Sequence, residues 1–82
     1  MSESERKLRQ AFQDALGIAA TTDFEALTYR GITEWDSVAH MQLVAAIEAS
    51  FDLMLETADV IGMSSYPIAR TIVTRYGVDF AR

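Results

Sequence analysis

The chain predicts an all-α fold: three longer helices and one short helix bundled around a single core, with a long first loop. Three observations predict it. Apolar residues recur at helical spacing in three separate stretches, cap residues stand at both ends of those stretches, and nothing in the sequence demands a strand. At 82 residues the chain is expected to be one domain, 1–82, near the lower end of what folds without staples.

Ser2-Glu3-Ser4-Glu5 fits a capping box, with Ser2 as cap and Glu5 three residues on. Leu8, Ala11, Phe12, Ala15 and Leu16 follow at helical spacing and Gly17 suits a stop, so the first helix is read at about 3–16. Residues 18–35 lack periodicity and carry Thr21-Thr22-Asp23 and Gly31, which reads as a long loop anchored by Phe24, Leu27 and Tyr29. Loops of this length are uncommon unless functional.

The second helix is read at about 37–51. Asp36 suits its N-cap, since a carboxylate there can accept a backbone N–H of the first turn. Leu43, Ile47 and Phe51 make an i, i+4 ladder with Val44 beside it, which is the core face. Val38, Met41 and Ala45 make a second apolar stripe on the side that carries Ser37. A helix apolar on two sides is normally enclosed, and so small a domain has few layers to enclose it, so this stripe is expected to stay partly exposed. A short helix at about 57–62 takes Thr57 as cap and Gly62 as stop. The last, at about 66–76, takes Ser65 as cap, Pro67 in its first turn and Tyr66, Ala69, Ile72, Val73 and Tyr76 inward.

Composition excludes several functions. There is no cysteine for disulfides or thiolate metal sites, and a single histidine argues against a metal centre, so no metal is expected. No apolar run approaches about 20 residues and the start reads as a helix cap rather than a signal peptide, so no membrane is expected and the default compartment is the cytoplasm. The net charge of −5 comes from the middle of the chain, where no Lys or Arg stands between Arg30 and Arg70. That interval holds Glu34, Asp36, Glu48, Asp52, Glu56 and Asp59. Nucleic acid is therefore not an expected partner. A basic protein surface is the natural complement, although a solvated face that keeps a small domain soluble accounts for the same charges.

Ser37 falls at the first helical position, where a phosphate ester would meet unpaired N–H groups and the positive end of the helix dipole. His40 lies one turn on, but sequential Asp36 and Ser37 cannot form a hydrolase triad, and no strained strand-to-helix elbow presents the serine. No catalytic residue is assigned. His40 falls on the Leu43/Ile47 side and is read as packing against the long loop, and Trp35, just before the cap, as a staple holding that loop to the helix.

The stretch Trp35-Asp36-Ser37-Val38-Ala39-His40-Met41-Gln42-Leu43-Val44-Ala45-Ala46-Ile47-Glu48-Ala49-Ser50-Phe51 resembles the core of the acyl carrier proteins. The Asp-Ser-hydrophobic triplet, Leu43-Val44, Ala46-Ile47-Glu48 and the closing Phe51 stand in the family's register, and the likeness covers about 70 residues. It implies a freestanding, non-enzymatic, monomeric carrier whose Ser37, behind Asp36, bears a 4′-phosphopantetheine arm derived from coenzyme A. It also implies partner contacts at Val38, Met41, Ala45, Glu48, Glu34 and Asp52. The implied partners are a phosphopantetheinyl transferase, an acyl-loading ligase or transferase, and downstream biosynthetic enzymes with basic docking surfaces. The second helix lacks acids at Ala39, Gln42, Ala49 and Ser50, where the fatty-acid-synthesis members commonly carry them. A dedicated pathway is thus expected rather than general fatty-acid synthesis. An aminoacyl or peptidyl carrier with the same arm, and an unmodified acidic interaction module, remain open.

Overall fold

A computed structural model describes residues 2–81, so Met1 and Arg82, the ends of the expected domain, lie outside the described residues. The described residues are all helical in their regular structure, with α1 Glu3–Leu16, α2 Ser37–Phe51, α3 Thr57–Gly62 and α4 Tyr66–Arg75, and no strand longer than one isolated bridge. They form a small helical bundle with a single core.

α1 begins where Ser2, in extended backbone, accepts the Glu5 N–H on its hydroxyl. It buries Leu8, Ala11, Phe12 and Leu16, one stripe at helical spacing. It ends at Gly17, whose φ of 67° is left-handed and whose N–H closes on the Gln13 carbonyl at 2.8 Å.

The segment from 18 to 35 is more ordered than its lack of periodicity predicts. Phe24–Ala26 make a turn of 3₁₀ helix. Thr28 pairs antiparallel with Ser65, through Tyr29 N–H to the Ser64 carbonyl (2.8 Å) and Tyr66 N–H to the Leu27 carbonyl (3.1 Å). These bonds satisfy loop backbone that would otherwise be left bare beside the core. The tight turn that follows favours Gly31, because a Cβ there would collide with the Thr28 hydroxyl and press on the Thr28 carbonyl at 3.1 Å. Phe24, Leu27 and Trp35 plug into the core and anchor the loop to it.

Aromatic packing sits at the centre. The Phe12 ring meets Trp35 edge-on at 5.3 Å and Tyr66 at 5.0 Å between centroids. Around it runs a polar tie. The Tyr66 hydroxyl donates to the Glu5 carboxylate, and Arg70 reaches both Glu5 and, through two 2.9 Å bonds, Glu25 of the 3₁₀ turn. The Arg70 bonds hold the Glu25 carboxyl below its usual range.

Two boundaries differ from the sequence reading. α3 is capped by Glu56, not Thr57, and the Glu56 side chain makes no cap bond; Thr57 is the first helical residue. Glu56 lies in the extended backbone usual for an N-cap, and its carbonyl accepts the Val60 N–H at 3.0 Å. Its own N–H donates to the Tyr76 hydroxyl at 2.9 Å, a contact 20 residues away in sequence. α4 closes at Arg75, one residue early, with Tyr76 as its cap.

Candidate functional site

The residues expected to matter converge on the start of α2. Asp36 stands in extended backbone (φ −105°, ψ −173°) and its carboxylate accepts the Ala39 N–H at 2.9 Å. With the chain turned this way, Ser37 is the first helical residue and is exposed. Its neighbours on the same side stay in water: Val38 is 67 % and Met41 57 % exposed, and Ala45 is exposed as well. The opposite face, Leu43, Val44 and Ile47, is buried against α1 and the loop, with Phe51 half-buried. The second apolar stripe of α2 therefore lies on the surface.

Ser37 sits at the rim of a cleft of about 350 Å³ between α2 and α3. Tyr29 closes one end from the loop, and His40 and Met41 form the α2 wall. Val60 and Ile61 of α3, with Met63 and Ser64 just beyond it, form the other. The surface offered is predominantly apolar and contains no carboxylate. Two other hollows, of about 540 Å³ along Arg30–Asp36 and about 370 Å³ beside α1 at Arg6, Arg9, Gln10 and Gln13, do not include Ser37. Size does not decide among such clefts; the convergence of an exposed nucleophilic side chain with an apolar wall does.

His40 is the polar centre of the cleft. Its Nδ1 accepts the Trp35 indole N–H at 3.0 Å, and its Nε2 lies 2.7 Å from the Val60 carbonyl of α3. Because Trp35 can only donate and a carbonyl can only accept, the network assigns the neutral ring with its proton on Nε2. Both nitrogens are thus engaged with Trp35 and Val60 rather than with Ser37. Trp35 is fully buried, and its ring plane lies 19° from that of His40 with centroids 6.1 Å apart. It occupies the position before the cap and His40 the fourth helical position, so the staple of loop to helix is an aromatic pair joined by a hydrogen bond.

The other expected contact residues are spread along the molecule. Glu34 is exposed on the loop just before Asp36. Glu48 is half-buried and its carboxylate accepts the Leu55 N–H at 2.8 Å, tying the chain after α2 back onto the helix. Asp52 caps α2 at its far end in left-handed backbone, φ 52°, with its N–H on the Glu48 carbonyl. Only Glu34, Val38 and Met41 share the Ser37 end of α2. The sequence reading missed the α3 wall. Its signal was an apolar pair, Val60-Ile61, on a helix too short to bury both; Val60 packs partly against the core while Ile61 is 77 % exposed.

Among the described residues no group of three or more His, Asp or Glu is placed to hold a metal, and no helix is long and apolar enough to cross a membrane. Comparison with protein-family models, curated proteins and solved structures found no match for the chain.

Proposed function

We propose that this chain is a freestanding acyl carrier of the cytoplasm, holding acyl intermediates of a dedicated biosynthetic pathway on a 4′-phosphopantetheine arm attached to Ser37. One observation carries the reading. An exposed serine opens a capped helix at the rim of an apolar cleft, inside a segment without a single Lys or Arg from Gly31 to Ala69. The site fits the group. The Ser37 hydroxyl is in open solvent, so a modifying enzyme can reach it. The first-turn N–H groups of α2 that lack helical partners favour a phosphodiester there. When attached, the arm supplies a terminal thiol that keeps an acyl group activated as a thioester.

The residues of this chain have three tasks in that scheme. Asp36 fixes the start of α2 and so the direction in which Ser37 points. Val38, Met41 and Ile61 offer an apolar docking patch around it. The acids of the central segment, with Glu34 nearest, draw in partners with basic surfaces. The cleft favours an acyl over an aminoacyl cargo, because its lining holds no carboxylate to receive an ammonium group.

Incubation of the purified chain with coenzyme A and a broad-specificity phosphopantetheinyl transferase is expected to add one arm per chain, read by intact mass, and none to Ser37→Ala. Failure of the native chain to gain mass would leave an unmodified interaction module as the reading; gain on Ser37→Ala would move the site elsewhere.

A further inference from the structure

We infer that His40 is a proton-operated latch: neutral, it clamps the last turn of α3 against α2 beside Ser37, and on taking a proton it leaves Trp35 and lets that turn open.

α3 is built to depend on such a clamp. It has six residues, none of them fully buried, with Val60 half-buried against the core and no side-chain cap bond at its start. A helix this short has little intrinsic stability, so its position is set by what holds it. Its first turn is held from α4, where the Asp59 carboxylate accepts the Tyr76 hydroxyl at 2.6 Å and Arg75 Nη2 at 2.9 Å. Its last turn, which carries the cleft residues Val60 and Ile61, is held by His40 through the 2.7 Å bond to the Val60 carbonyl. Val60 also packs partly against the core and Met63, just past the helix, is buried. Releasing His40 therefore removes the polar hold on the cleft-forming half of α3 and loosens it, while Asp59 keeps the other half in place.

Proton uptake strikes the bond on the opposite nitrogen. Nδ1 accepts from Trp35, and an imidazolium would set two N–H donors against each other there. Trp35 cannot yield: it is fully buried, wedged edge-on against Phe12 at 5.3 Å and Tyr29 at 6.1 Å. The half-buried His40 ring can turn toward water, and doing so carries Nε2 away from Val60. Charged groups stand near the ring on each element packed against it. On α2, Asp36 lies one turn earlier. On the loop, Arg30 lies 5.5 Å over the Tyr29 ring, which itself meets His40 at 5.3 Å. On α3, Asp59 is turned to Arg75 and Tyr76. Histidine is the side chain whose charge changes near neutral pH. The relevance of this motion to a tethered cargo rests on Ser37 being the attachment site, but the latch itself does not.

The test uses the unmodified full chain, by nitrogen-15 NMR and amide exchange between about pH 8 and about pH 5.5. Protection of the Val60–Gly62 amides, corrected for intrinsic exchange, should fall about ten-fold across the titration of His40, in step with the Trp35 indole N–H resonance, while that of Leu8–Phe12 in α1 holds. His40→Gln, which keeps an acceptor and a donor but does not titrate, should be flat with pH; His40→Ala should be poorly protected throughout. If native α3 protection persists after His40 has charged, the imidazolium stays on Val60 and the latch is wrong. An equal fall in His40→Gln overturns it too. Ser37→Ala should respond as the native chain does, so failure of arm attachment and failure of the latch are read separately.

Discussion

Met41 separates a docking surface from a core. It is 57 % exposed, whereas Leu43, two residues on, is fully buried. Truncating a buried Met or Leu to Ala costs about 2–5 kcal/mol, partly for the cavity left behind. With less than half of Met41 out of water and no enclosed cavity to leave, Met41→Ala is expected to cost only about 1 kcal/mol, a fall in Tm of about 4–8 °C for a domain this small. Leu43→Ala should cost at least about twice that. Urea and thermal unfolding followed by circular dichroism give both values. A time course of arm attachment by intact mass supplies the second axis, on which Met41→Ala should be several-fold slower although nearly as stable as the native chain. Equal stability losses for the two variants would show that Met41 is core. A small loss with an unchanged rate would show that the exposed stripe is not where the transferase docks.

Charge and alkaline stability give two more expectations. Glu34→Lys, at the Ser37 end of the acid-only segment, should slow association with the transferase, and rising salt should shrink the difference because exposed charges are screened beyond about 10 Å at 0.1 M; stopped-flow rates that ignore salt would refute steering. Glu48 is a poor probe of the same idea, since its carboxylate holds the Leu55 N–H. The Tyr66 phenol is pushed above its ordinary range chiefly by burial, then by its bond to Glu5, so it keeps its proton where an unfolded tyrosine, near about 10, loses it. That contribution is whole below about pH 10 and drains away above it, so unfolding at about pH 10.5 should show just under ~1 kcal/mol lost from this group relative to neutral pH. Tyr66→Phe, although less stable at neutral pH, should lack that increment.

Periodicity and caps sufficed for the helices because each is written locally. Ser2, Asp36 and Ser65 accept N–H groups three residues on, and the apolar residues of α1 and α4 fall on one stripe each. The same local logic put Ser37 first in α2 and marked Val38 and Met41 as a stripe with nothing left to cover it. What tertiary structure decided lies in contacts between distant residues. Thr57 reads as a cap, yet the Glu56 carbonyl accepts the Val60 N–H and the helix starts one residue earlier, with the Glu56 N–H held by the distant Tyr76 hydroxyl. Residues 18–35 carry no periodicity because their order comes from a bridge to Ser65 and from Trp35 sinking into the core, not from a repeat. Glu48 reads as a surface acid, and only the return of the chain at Leu55 turns it into a tie between α2 and the segment after it. His40 is the clearest case: packing against the loop is visible on a helical wheel, but the bond from α2 to the Val60 carbonyl exists only once α3 has been laid beside it, since a backbone carbonyl has no signature in sequence.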